Sequence, residues 1–211
     1  MIFFLIKFFA GFILTPKIII LPLRISNYFF LIMINIYKAS PDDAVLITEL
    51  ARKIYQEHYL HLWYAGGAQW YMEEYAYAKE KIEMELADNN IEYFIAEKDG
   101  AYLGYMKIVL AATLAGDESM NALEVERIYL YKKATGKGIG KKFMLLAQQI
   151  AHQLKKDIIF LKAMDSSTSA LEFYKKMGYS ICGNLTLLLP VFQLMKKEYR
   201  GMVILKRKIE A

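Results

Sequence analysis

The stretch from Arg127 to Met144, RIYLYKKATGKGIGKKFM, limits what this chain can fold into more than any other. A run of branched and aromatic residues ends in two lysines, and Gly136, Gly138 and Gly140 then fall within five residues. Beyond them Phe143, Leu146, Ala147, Ile150 and Leu154 repeat at helical spacing. Glycine costs order wherever it sits. Three of them between a strand and a helix therefore imply a tight turn whose N–H groups face a bulky anion such as a phosphate.

Known phosphate cradles are separated by spacing. A P-loop would need glycine where Thr135 stands and Ser or Thr where Lys142 stands, so it fails at both ends. A dinucleotide fingerprint needs G-x-G-x-x-G after a parallel unit, whereas this loop reads G-x-G-x-G.

The elements around the loop alternate. INIYKA, from Ile34, reads as a strand, and Ser40-Pro41-Asp42-Asp43 starts a helix with Ser40 as cap and an apolar stripe of Ile47, Leu50, Ala51 and Ile54. After Gly66-Gly67 a second helical segment is expected over about residues 69–88. IEYFIAEK and AYLGYMKIVLA form a hairpin across Asp99-Gly100, and ALEVERIYLY leads into the glycine loop. DIIFLKAM reads as a buried strand, Ser169 and Glu172 as a capping box for a short helix closed by Gly178, and YSICGN and GMVILKRKI as two last strands. The fold class expected is α/β.

Charge and cysteine content exclude several classes. Lys7, Lys17 and Arg24 lie in the first 32 residues, which hold no acid, so the net charge of +5 belongs largely to that segment. The near-balanced remainder gives no phosphate-tracking surface, and no nucleic-acid partner is expected. A single cysteine, Cys182, rules out an internal disulfide and cysteine metal clusters. His58 and His61 have no acidic or cysteine partner at ligand spacing, so no metal is expected. These features favour a reducing, cytoplasmic setting. Residues 1–32 are apolar but broken by Lys7, Pro16, Lys17, Pro22 and Arg24, short of the roughly 18–20 residues of a membrane helix. They read first as upstream sequence before a true start at Met33 and second as a membrane-associating segment; residues 33–211 read as one domain.

LEVERIYLYKKATGKGIGKKFM followed by ALEFYKKMGY resembles the acetyl-CoA-binding core of the GNAT superfamily of N-acetyltransferases. Gly138-Ile139-Gly140 matches its glycine pair, while Thr135 stands at its Arg/Gln position and Ser167 where many members have Asn. The resemblance implies a mixed, mostly antiparallel central sheet flanked by helices on both faces, acetyl-CoA as co-substrate and a primary amine as acceptor. Within the superfamily the chain looks like the small bacterial members that acetylate polyamines or other free amines, a weaker likeness. The family resemblance further implies that Ile128, Tyr129 and Leu130 pair with the pantetheine arm, that Gly136, Lys137, Gly138, Ile139, Gly140 and Lys141 hold the pyrophosphate, that Ser167 touches CoA, and that Tyr174 protonates the departing sulfur.

Glu124 and Glu126, two apart on one strand face, are candidates for the base. Glu124 has the family's spacing; cross-strand pairing with lysines is the competing account for both. The aromatic stretch from Tyr55 to Tyr77, with Glu73 and Glu74, has the composition of a pocket for a cationic amine or of plain helix packing. A CoA-binding module without catalysis, a membrane-tethered interaction protein and a homodimer stay open at this level.

Overall fold

The computed structural model describes residues 34–188 and 190–210; the expectations for residues 1–32 and the proposed start at Met33 lie outside the described residues. The first strand, β1 (Asn35–Lys38), leads into Ser40, whose N–H is accepted by the Asp43 carboxylate at 2.8 Å. That contact and Pro41 set the entry to α1 (Ala44–Tyr59), and its expected stripe of Ile47, Leu50, Ala51 and Ile54 is buried.

The continuous helix expected over 69–88 is instead three pieces: α2 (Gly67–Trp70), a π turn (Tyr71–Tyr75) and α3 (Lys79–Ala87). Arg52 of α1 explains the break. Its Nε donates to the carbonyls of Met72 (3.2 Å) and Tyr77 (3.0 Å), acceptors that an unbroken helix would have used internally.

β2 (Ile91–Lys98) and β3 (Ala101–Ala112) form the expected hairpin, with both Asp99 and Gly100 at positive φ as a two-residue turn of this hand requires. β4 (Ala122–Leu130), α4 (Ile139–Gln153), β5 (Ile158–Met164), α5 (Thr168–Lys176), β6 (Ser180–Thr186) and β7 (Gly201–Lys208) complete the order. α5 starts two residues earlier than expected, with Ser167 and not Ser169 at its N-cap.

The strands form one seven-stranded sheet in the order β1-β2-β3-β4-β5-β7-β6, antiparallel except for β4 with β5. This is the mixed sheet expected. Helices cover both faces. Ile47, Ile54 and Ile82 of α1 and α3 pack on Tyr93, Ile95 and Tyr105, while Phe143, Met144 and Ala147 of α4 pack on Met106, Ile108, Leu123 and Leu161. Each fully buried side chain of this size contributes about 1.5–3 kcal/mol relative to exposure.

Two irregularities in β4 shape the centre of the sheet. Lys107 pairs with Arg127 but Ile108 pairs with Val125, so Glu126 is an extra, bulged residue. The parallel pairing with β5 stops at Val125 opposite Leu161, although β4 continues to Leu130. Past that point the two strands part and a gap opens between them.

Candidate active site

Beyond Val125 the edge of β4 has no neighbouring strand on the β5 side. Tyr131 donates its N–H to Leu103 on β3, so by strand alternation Ile128 and Leu130 turn their N–H and C=O groups toward the gap. The Leu130 carbonyl meets His58 Nε2 at 2.9 Å, and since a carbonyl only accepts, Nε2 carries the proton. A cavity of about 630 Å³ runs from this edge to the glycine loop, lined by Ile128, Tyr129, Leu130, Gly136, Gly138, Ile139, Gly140 and Lys141 among others. Those eight are among the ten residues expected to hold the co-substrate. Lys137 is exposed outside the lining, and Ser167 lies on the other side of Tyr174.

The loop's geometry fits an anion. Gly136 and Gly138 have φ of 72° and 78°, a region costly for other residues, and a Cβ at either would meet open space. Gly138 caps α4 in the left-handed conformation and accepts from Lys142 N–H at 3.1 Å, so the N–H groups of Ile139, Gly140 and Lys141 are left without helical acceptors. The positive end of the helix dipole lies at the same place. Thr135, at the Arg/Gln position, spends its hydroxyl on Lys132 O at 2.7 Å.

A second cavity, about 200 Å³, lies on the α1 side of the gap. Tyr59, Ile128, Tyr129, Ala170 and Tyr174 line both cavities, so the two meet there. Tyr55, Trp63 and Tyr71 enter from α1 and the following turns, and Leu187, Phe192 and Met195 from the connection between β6 and β7. That connection is pinned across the cavity by a Trp63–Met195 bridge, by Tyr64 N–H to Leu194 O and by Lys196 N–H to Leu62 O, both 2.9 Å. At Gly67 a Cβ would stand 2.8 Å from Leu194 Cβ, so the residue's smallness permits this approach.

Tyr174 lies at the junction. Burial pushes its phenol up to about 12, so it remains a neutral O–H donor, and no hydrogen bond to that hydroxyl from the described residues offsets the shift.

The two carboxylates separate in role. Glu124 lies in the part of β4 still paired with β5, forms an ion pair with Lys162 at 2.9 Å and lines neither cavity. Glu126, on the bulge, lines the smaller cavity, and its two oxygens meet Lys107 Nζ at 2.8 Å and Arg127 at 3.1 Å. Behind them Glu85 accepts from Lys107 at 2.9 Å and from the Tyr93 hydroxyl. Burial would raise the Glu126 carboxyl, but Arg127 and Lys107 outweigh it and hold it below the ordinary range. Arg127 joins this face only because the bulge interrupts the alternation, which is why it was not expected from the sequence; the Lys107–Glu126 and Lys162–Glu124 pairs are the cross-strand lysine pairing named as the competing account. Glu73 and Glu74 are exposed and line neither cavity; Glu73 accepts from Gln69 at 3.1 Å.

A family model described as the acetyltransferase (GNAT) family matches residues 48–179. A curated relative, an uncharacterized N-acetyltransferase in the pepI 3′ region of Lactobacillus delbrueckii subsp. lactis, is 27% identical over 100 residues, 47% of this chain and 58% of that protein. The match thus spans little more than half of that relative's length. Among solved structures, the PaiA N-acetyltransferase of Thermoplasma acidophilum in complex with coenzyme A superposes with a TM-score of 0.65 at 22% identity, over 83% of this chain and 99% of that one. A spermidine N-acetyltransferase from Vibrio cholerae gives 0.59 at 14% identity, over 83% and 93%. At these identities the structures speak for the fold.

Proposed function

The chain belongs to the GNAT family of acetyltransferases, and on that premise we propose that it transfers the acetyl group of acetyl-CoA directly to a primary amine, with both molecules bound at once. The observation that carries this reading is the meeting of two cavities at Tyr174: one runs to the glycine loop, the other is walled by aromatic side chains. Direct transfer suits the site because the only cysteine, Cys182, is exposed on β6 and lines neither cavity.

In this proposal the free N–H groups at the start of α4 hold the pyrophosphate, with Lys141 adding charge. The gap-facing edge of β4 at Ile128 and Leu130 pairs with the pantetheine arm and takes the place of the missing strand. The thioester carbon then lies at the junction, where the amine nitrogen forms the C–N bond and the C–S bond breaks. Tyr174 donates its proton to the sulfur as charge develops there. The amine gives up one proton in the same reaction, so the exchange balances and Tyr174 is restored through solvent.

Glu126 is the carboxylate placed to receive the amine. With both oxygens held by cations it is a weak base, so it orients the nitrogen by a hydrogen bond while water carries the proton away. Glu124 would act only through Lys162, which lines the acceptor cavity.

The test is thiol release from acetyl-CoA by the purified protein over a broad set of primary amines. Release that depends on the amine is expected. Tight calorimetric binding of acetyl-CoA with no release for any amine would favour a CoA-binding module over an enzyme.

A further inference from the structure

We infer that the acceptor is a compact molecule carrying one amine on an aromatic or otherwise apolar body, and that polyamines and peptide N-termini are rejected. The inference rests on the acetyl-transfer reading and concerns its second substrate alone.

Size is the first argument. The acceptor cavity holds about 200 Å³, not far above the roughly 150 Å³ that takes up a benzene-sized guest and below the roughly 300–1,000 Å³ of sites for larger ligands. An elongated acceptor would need an exit for its tail. On the side of the connection between β6 and β7 the wall is held in place: Arg200 donates to the carbonyls of Gln193 and Met195, and the Trp63–Met195 bridge ties the segment down.

The lining gives the second argument. Its rings, Tyr55, Tyr59, Trp63, Tyr71 and Phe192, offer flat faces to a single aromatic or aliphatic body, within a lining whose tyrosine hydroxyls and charged groups make it as much polar as apolar. Its charged side chains are two cations, Arg127 and Lys162, against one carboxylate, Glu126. A first amine can hydrogen-bond to Glu126. A second ammonium would meet no other lining carboxylate among the described residues, because Glu126 is shared with Arg127 and Glu124 is held by Lys162 outside the lining. Glu73 and Glu74 stand outside the cavity and leave the lining as it is.

Proton chemistry ranks the compact amines among themselves, while the exclusion of peptide N-termini rests on size alone. A carboxylate held low by two cations takes a proton poorly, so between amines of similar fit the one with the larger neutral fraction reacts faster. Near pH 7 that selects α-amino and aryl amines over alkyl amines, whose pKa is about 10 against about 8 for an α-amine.

The experiment compares phenylalaninamide, 2-phenylethylamine, spermidine and a tripeptide with a free N-terminus as acceptors, read as thiol release. The two compact monoamines are expected to exceed spermidine and the tripeptide at least tenfold in kcat/KM, with phenylalaninamide first at pH 7. Spermidine or the tripeptide matching either monoamine overturns the inference. Calorimetry on the CoA-loaded protein with the same four molecules separates this inference from the reading beneath it. With no thiol release from any of them, tighter binding of the monoamines would still support the cavity assignment, and tighter binding of spermidine would defeat it.

Discussion

Burial at Tyr174 bears directly on catalysis. It pushes the phenol, already protonated near neutrality, further up to about 12, and it leaves the hydroxyl at the junction of two cavities with no hydrogen-bond partner among the described residues. Tyr174→Phe keeps the ring that packs beside Phe173 and Tyr179 and deletes no hydrogen bond, so the melting temperature should hardly move. The expected result is a fall in kcat of at least about tenfold with unchanged acetyl-CoA affinity, measured where chemistry limits turnover. Equal kcat would leave Tyr174 a packing residue. The position of Tyr174 was legible because a motif fixes its distance from the glycine loop along the chain. The ion cluster of Glu85, Lys107, Glu126 and Arg127 was not, since it joins three separate elements and depends on one inserted residue in β4. Nothing local in the sequence marks a bulge that moves Arg127 onto the Glu126 face.

Elements show the same division between local and distant causes. The hairpin at Asp99-Gly100, the stripe of α1 and the loop before α4 were readable because turn chemistry and periodicity act within a few residues. The helix expected over 69–88 failed for a distant cause: Arg52 takes two carbonyls from that segment, and Tyr77 is drawn fully into the core. The glycine loop can be tested as an element by comparing two of its glycines. Gly138 has φ of 78°, so Gly138→Val forces a branched side chain into the left-handed region at a cost of about 1–3 kcal/mol, and it deforms the start of α4. Acetyl-CoA affinity should fall at least tenfold. Gly140 lies inside the helix, and its added Cβ would stand 3.6 Å from Phe173 Cζ, an ordinary contact. Gly140→Ala should therefore bind acetyl-CoA within about twofold of the parent, helped by the better helix propensity of alanine. Calorimetry that ranks the two variants in the reverse order would remove the backbone of this loop from the proposed anion site.

At the scale of the whole molecule the parting of β4 and β5 leaves the two halves of the sheet joined by a short backbone ladder. One parallel ladder of four residue pairs, Ala122–Val125 with Ile158–Leu161, joins β1-β2-β3-β4 to β5-β7-β6. A pantetheine arm lying along Ile128 and Leu130 while touching α5 would add contacts across that join and so stabilise both halves together. Binding to the folded state alone contributes about 2.7 kcal/mol at a concentration one hundred times Kd. For a domain of this size each kcal/mol raises Tm by about 2–4 °C, so acetyl-CoA at that excess should raise Tm by about 5–10 °C in a single transition. We propose residues 33–211 as the unit responsible, because the capped helix, the hairpin and the glycine loop all fall within it. A chain starting at Met33 should then show the same shift as the full chain. A shift confined to the full chain would make residues 1–32 part of the binding unit. Two separate transitions, with only one moved by acetyl-CoA, would mean that the ligand grips one half of the sheet and leaves the β4–β5 join as it was.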